Sequence, residues 1–439
     1  MSNIGDEASS PANVKTLTPG AASELPVELI EYITDHLHDD KPSLSASSLV
    51  CQAWTGPSRH HLFHDLTVRA NTKEYARGVL FAKLRDLLES GPSVHVYIRR
   101  LFLWSDQSMN QLVPASLLEA CYERLPSLHT LSIEGARFPP APPLSKVADT
   151  DNTNLAPQLR TLLVTKSVMD DGLLCTLGHL HSLSKLVLKE IRRYTAQINS
   201  SRFHRPSLAH LTLDDGCDIQ TLQYFLSSDR ANEMEYLDII FPPQITSEML
   251  SIVGSFLHLP HSQLKDFTID FSAGSLYDLF LQKHFDQLNL VSCLNLRSVQ
   301  INLNVRGVSW WGEPDVTDWS VLPSILSTTH SGIQHFTLGL ATSEETLAEM
   351  TEKLSRWDWK PLQTTFTHWD ALETVTFKHM SVSGKRSAPE WEEMVRSQLK
   401  SLPTVRLQFE YVGLSEREEL EAAQEAEAGE TDEGQADTV

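Results

Sequence analysis

Long apolar runs are missing from this 439-residue chain. No stretch approaches the roughly 18 consecutive apolar residues of a membrane-spanning helix, so no such helix is expected. Cysteine is scarce: Cys51, Cys121, Cys175, Cys217 and Cys293 lie far apart. No two have the close spacing of a zinc knuckle or a redox dithiol, so they read as reduced, mostly buried thiols. Such usage fits the cytosol or nucleus. Positive charge is in deficit, with 36 Lys and Arg against 57 Asp and Glu, a formal net charge of -21. That balance opposes phosphate backbones and anionic membranes, so neither nucleic acid nor membrane is an expected partner. The opening "MSNIGDEASSPANVKTLTPG" has no basic region followed by an apolar one, and no Gly after Met for myristoylation. The closing "DTV" is no prenylation box. A cytoplasmic or nuclear location is the expectation.

Catalytic signatures are missing as well. There is no GxxxxGK[ST] phosphate loop, no GxGxxG after a strand, no HExxH and no GxSxG. His60, His61 and His64 cluster but read as surface or partly packed side chains, not metal ligands. His179 and His181 flank a helix end without a nearby Cys or acidic partner in sequence, and Cys51 reads as core. The pairs Asp149 with Asp151 and Asp214 with Asp215 read as solvated loops. No enzyme, cofactor or metal site is expected, although groups distant in sequence could still converge.

What is present begins at "ELPVELIEYITDHL", Glu24 to Leu37. Residues 1–22 before it are polar and irregular, a disordered leader. Pro26 suits a first helical turn, where its missing N–H costs nothing. Glu28 complements the positive end of the helix dipole. Leu29, Ile33 and Leu37 recur at a helical spacing with Ile30 beside them. After Lys41-Pro42 the run "LSASSLVCQAW" places Ala46, Leu49, Val50, Ala53 and Trp54 on one face, predicting a second helix that Gly56-Pro57 ends. "SRHHLF" predicts a short third helix. Three helices in about forty residues make too thin a core to stand alone, so they need a neighbour.

The ordered combination of Leu-Pro, an apolar helix, Leu-Val-Cys-x-x-Trp and a closing Leu62-Phe63 resembles the F-box, in its fungal form, over residues 23–66. The F-box is the adaptor-binding module of cullin–RING ubiquitin ligases. The resemblance implies that the chain binds a Skp-type adaptor, and through it a cullin. Leu25, Pro26, Leu29, Ile30, Ile33, Leu49, Val50 and Trp54 would make that contact or the small core that positions it. Sequence does not partition the two roles. The plainer reading is a helical cap on a repeat domain.

Residues 67–414 carry a recurring phrase, apolar-x-x-apolar-x-apolar. Examples are "LHTLSI" (128–133), "LSKLVL" (183–188), "LKDFTI" (264–269) and "LETVTF" (372–377). The earliest copy is "FHDLTV" (63–68) and the last "LPTVRL" (402–407). The alternation within each phrase predicts a half-buried strand. Helical phrases such as "ASLLEACYERL", "GLLCTLGHL", "IQTLQYFL", "TSEETLAEMTEKLSRW" and "EWEEMVRSQL" fill the gaps. Strand plus helix at this period resembles an irregular leucine-rich-repeat solenoid, an α/β fold, in which stacked units bury each other's faces. The Asn or Cys usual in the repeat turn is mostly replaced, for example by Ala136, Ser167 and Gly216. An irregular α/β domain with a mostly parallel sheet is the alternative.

The insertion at 304–319 holds Trp310, Trp311 and Trp319 among turn residues. It is the candidate substrate-binding loop, since Trp is enriched in interface hot spots; a plug folded over a long repeat is the bland reading. Residues 415–439 form an acidic tail with ten carboxylates and one Arg, expected to be disordered. The function expected from the resemblance is a non-catalytic substrate-recognition adaptor of a ubiquitin ligase, with an unknown substrate protein. A repeat scaffold unconnected to ubiquitin ligases is the alternative.

Overall fold

A computed structural model describes residues 25–413, apart from the internal segments 71–80, 91–93, 106–111, 139–155, 194–204, 215–217, 227–232, 260–262, 273–284, 306–320, 330–331, 343–350, 352–353, 382–388 and 403–404 and the single positions 243, 286, 289, 328 and 356. Three helices come first: α1 (Val27–His36), α2 (Lys41–Ser47) and α3 (Gln52–Phe63). The recurring phrase then becomes strands. They are β1 (Asp65–Ala70), β2 (Arg100–Ser105), β3 (Thr130–Glu134), β4 (Thr161–Thr165), β5 (Val168–Met169), β6 (Lys185–Lys189) and β7 (Arg192–Arg193). The rest are β8 (His210–Leu213), β9 (Tyr236–Ile240), β10 (Asp266–Asp270), β11 (Ser298–Val305), β12 (His335–Thr342), β13 (Thr374–Ser381) and β14 (Arg406–Gly413).

Twelve of these strands form one sheet in which each lies beside the next in sequence; β5 and β7 pair separately. Every pairing is parallel. Parallel neighbours need a crossover, and described helices supply it between β1 and β2, β2 and β3, β4 and β6, β8 and β9, β9 and β10, and each pair from β11 to β14. Strictly sequential order is what stacked strand–helix units produce. It is consistent with a leucine-rich-repeat-like solenoid, and no strand order reverses as it would in a doubly wound domain. The first apolar residue inside each strand falls in one row, running from Leu66 through Leu131 and Leu211 to Val299 and Leu407. These rows and the apolar sides of the helices make one continuous core, from Ala70 to Leu402.

Backbone bonds knit the units at one edge. The carbonyl of the residue before each strand accepts two N–H groups from the next repeat. Arg99 O takes His129 N and Thr130 N, and His129 O takes Arg160 N and Thr161 N, at 2.9–3.1 Å. The pattern continues to Gln334 O with Glu373 N and Thr374 N. After β3, β4 and β6 the chain turns through a left-handed residue each time: Gly135, Lys166 and Glu190, with φ of 70°, 47° and 48°. Only the first is a glycine. A repeat-wide geometry overrides the local preference in the other two. Ser167 does the work expected of the missing Asn. Its Oγ accepts from Ala136 N in the previous repeat at 3.3 Å and donates to Thr165 O at 2.8 Å.

The structure corrects the sequence reading of the last phrase, of the second helix and of Cys51. The last phrase is displaced by two residues: Val375 pairs with Leu407, not Val405. Leu402 keeps the turn of the earlier repeats, its N–H bonding Leu399 O, but two extra residues precede the strand. A two-residue slip preserves strand alternation, so the pattern alone did not register it. The second helix also does not run through 44–54. It ends at Ser47, a turn follows, and α3 continues through Gly56 and Pro57 to Phe63. Cys51 therefore caps α3 and is half-buried, not core. Proline costs one backbone bond in a helix but did not stop this one.

Helix Ser247–Leu257 shows where packing defeats propensity. A Cβ built on Gly254 would lie 2.3 Å from the Gln287 carbonyl oxygen. In an exposed helix, Gly to Ala gains about 1 kcal/mol. At this contact Gly254→Ala is expected to destabilise by about 2 kcal/mol, since neither backbone yields freely. A urea midpoint lowered at unchanged slope is the expected reading. A raised midpoint would show that the approach is loose.

Candidate functional site: an apolar face on the N-terminal helices

Pro26 forms the entrance to α1, its carbonyl accepting Leu29 N and Ile30 N at 3.0 and 3.2 Å. Ile30 and Thr34 point inward and are buried. Thr34 Oγ1 donates back to the Ile30 and Glu31 carbonyls, so its hydroxyl costs little there. Asp35 ties α1 to α3 through His61 at 2.8 Å. Asp40 caps α2, accepting from Ser43 N at 3.1 Å, and Ser43 also holds the Asp40 carboxyl below its usual range. Leu44 fills the space beneath. Thr55 Oγ1 donates to the Ser48 and Cys51 carbonyls at 3.1 and 3.2 Å, pinning the α2–α3 turn.

The small core uses only part of the apolar content. Leu25, Val27, Leu29, Tyr32 and Ile33 are exposed on or beside α1, and Leu49 and Val50 are exposed in the α2–α3 turn. Among the described residues, eleven large hydrophobics are exposed, and seven of them fall between 25 and 50. Scattered exposed apolar residues need no explanation, whereas a local concentration does. Leu49 is 84 % exposed, so holding it in water serves no folding purpose.

The structure divides the eight residues singled out by sequence. Ile30 is core, at 1 % exposure; Trp54 is half-buried; Leu25, Pro26, Leu29, Ile33, Leu49 and Val50 lie on the surface. Val27 and Tyr32 join them at 51 and 61 % exposure. Tyr32 was legible in principle, since it stands three residues after Leu29. The other candidates, Trp310, Trp311 and Trp319, lie outside the described residues, as do Asp149, Asp151, Asp215 and Cys217.

Chemistry elsewhere is structural where it is visible. His60 packs edge-on against His61 and His64, and burial holds its pKa down. No group of three or more His, Cys, Asp or Glu among the described residues is arranged to hold a metal. His179 does have a neighbouring cysteine, contrary to the sequence reading. One helical turn brings Cys175 Sγ within 4.0 Å of its Nδ1. That nitrogen bonds the Cys175 carbonyl at 2.7 Å instead, and burial raises the thiol pKa. A protonated thiol whose neighbour is occupied is a poor nucleophile. Asp214 is buried 3.7 Å from Lys189. Asp270 accepts from Asn302 and from Ser272 N, both at 2.6 Å, a satisfied and buried network.

No helix among the described residues is long and apolar enough to cross a membrane. No family model matches the chain, and no curated protein matches it. Among solved structures it is similar to human trophoblast glycoprotein (Wnt-activated inhibitory factor 1), at 12 % identity over 72 % of this chain and 70 % of that one. The TM-score is 0.21, too low for the likeness to carry an argument about fold or function.

Proposed function

We propose that residues 25–63 are an F-box-type docking module and that the chain is a non-catalytic substrate-recognition adaptor of a Skp-cullin-F-box type ubiquitin ligase. The observation that carries this reading is the concentration of exposed Leu, Ile, Val and Tyr on and beside α1 and the α2–α3 turn. A helix face with anchors at i and i+4, here Leu29 and Ile33, with Leu25 just before the helix, suits docking against a partner's helices. The repeats behind it present a substrate protein. Rate enhancement then comes from proximity, which raises the effective concentration of the substrate near the charged conjugating enzyme. This chain supplies no reacting group. A cytoplasmic or nuclear location follows from the same reading.

The test is co-expression with a Skp-type adaptor followed by pull-down on either partner. A stoichiometric complex is expected. Failure to recover adaptor, where a known F-box protein recovers it, would leave the alternative: a repeat scaffold that uses the apolar face for some other partner.

A further inference from the structure

A strip of positive charge crosses the edge of an acidic protein. The chain carries -21 in all, of which the tail 415–439 accounts for -9, leaving -12 for the rest. Yet along the edge where the first strands begin, the exposed side chains are Arg99 just before β2 and Arg100 on it, His129 just before β3, Arg160 just before β4, Lys185 on β6 and His210 on β8, with the formal positive charge on the three arginines and the lysine. Register and the shared-carbonyl bonds place these residues in two adjoining rows over five neighbouring strands. The other members of those rows are Thr130, Thr161, Ser184 and Ala209, so the strip holds no carboxylate. Asp65, bonded to Arg100, bounds it at one end. Glu235, bonded to Lys265 at 2.8 Å, bounds it at the other. Arg160 is held in place by its Nη1 bond to Ser182 O at 3.2 Å.

We infer that this strip is a docking surface for an acidic, extended peptide segment of a partner protein, lying across the strands. Charge complementarity selects the occupant. Adjacent strands are about 4.8 Å apart, so the charged members, from Arg99 to Lys185, span roughly 14 Å, the length of about four extended residues. Basic side chains spread along an edge in this way meet carboxylates along a chain better than they meet a compact anion. The strip is a local positive region on a protein whose net charge repels acidic segments, so its attraction acts only at short range, within about a Debye length. Its near end adjoins α3 through β1, next to the helical module. The inference rests on the strip alone and adds a ligand class to the adaptor reading.

The test uses the full chain and a fluorescent peptide of alternating Glu and Ser, followed by anisotropy. Binding is expected, weakening with added salt as the Debye length falls from about 10 Å at 0.1 M. Arg160→Glu with Lys185→Glu should weaken it at least tenfold. Lys378→Glu with Arg406→Glu makes the same charge change on β13 and β14 and should leave it unaltered. Equal losses from both pairs would mean that only net charge matters and would overturn the assignment. So would absence of binding to the wild-type chain. A second arm replaces the ten tail carboxylates by amides in the full chain. If peptide binds only then, the strip holds the chain's own tail, and the partner assignment fails. Adaptor pull-down on the same variants keeps the two readings apart, since the strip variants should retain the adaptor.

Discussion

A chain cut after Asn289 is expected to aggregate, whereas loss of Ser415–Val439 leaves the melting temperature nearly unchanged. The sheet makes the first outcome unavoidable. Within the twelve-stranded sheet each strand is hydrogen-bonded only to the sheet strands before and after it, so the cut removes β11 and leaves all five residues of β10 unpaired on one side. An open strand edge recruits other chains. The cut also uncovers Phe267 and Ile269, which are buried in the whole protein against a core that continues into Val299 and Ile301. Terminal units of a solenoid must be capped. The native cap is specific: helix Pro389–Gln398 lays Trp391 edge-on against Phe377, Phe409 and Tyr411 over the last two strands. The 1–289 fragment has nothing equivalent at its new end. Size-exclusion chromatography should place it in the void volume, and dye binding should report exposed apolar surface. A monomeric fragment with a sharp melting transition would show that the array divides into independent domains.

The strand phrases were legible because they obey one rule with one consequence. Alternating apolar residues at 101 and 103, or 267 and 269, are buried to within 1 %, and the rows they form run unbroken across the sheet. Helices at 115–124, 171–178 and 219–226 were likewise written in their Leu spacing. One misreading has a physical origin. Leu49 and Val50 looked like members of a helical face because apolar residues in a helix are normally buried by it. Here they protrude from a turn, and the periodic pattern could not distinguish burial from presentation. The helix at 247–257 was written as plainly as the others: in "SEMLSIVGSFL" Met249, Leu250, Val253, Phe256 and Leu257 are buried, while Ser247, Ser251 and Ser255 form an exposed face, and the sequence reading passed over it. The cationic strip was invisible for another reason. Its members are 25 to 31 residues apart in sequence, and only the strand register assembles them.

Replacing Leu29 and Ile33 together by Asp is expected to abolish adaptor binding while leaving the fold intact. Both residues are more than one-third exposed, at 49 and 38 %, so neither is part of the closed core of the free protein. Loss of Leu and Ile in favour of Asp costs a few tenths of a kcal/mol each in helix propensity, within the range of ordinary surface changes. In the complex the balance reverses. Two apolar anchors disappear, and two carboxylates must be desolvated against apolar partner atoms without a counter-charge. Hot-spot losses of about 2 kcal/mol or more at each position amount to about 4 kcal/mol, roughly a thousandfold in affinity. Ile30→Asp is the companion variant. Ile30 sits between the exposed pair in sequence but is 1 % exposed, so it should lower thermal stability of the helical module as well as binding. Calorimetry with the purified adaptor and thermal melts of each variant separate the two effects. Retained binding by the double variant would remove this face from the adaptor contact, and a collapse of its melting temperature would show that Leu29 and Ile33 belong to the core after all.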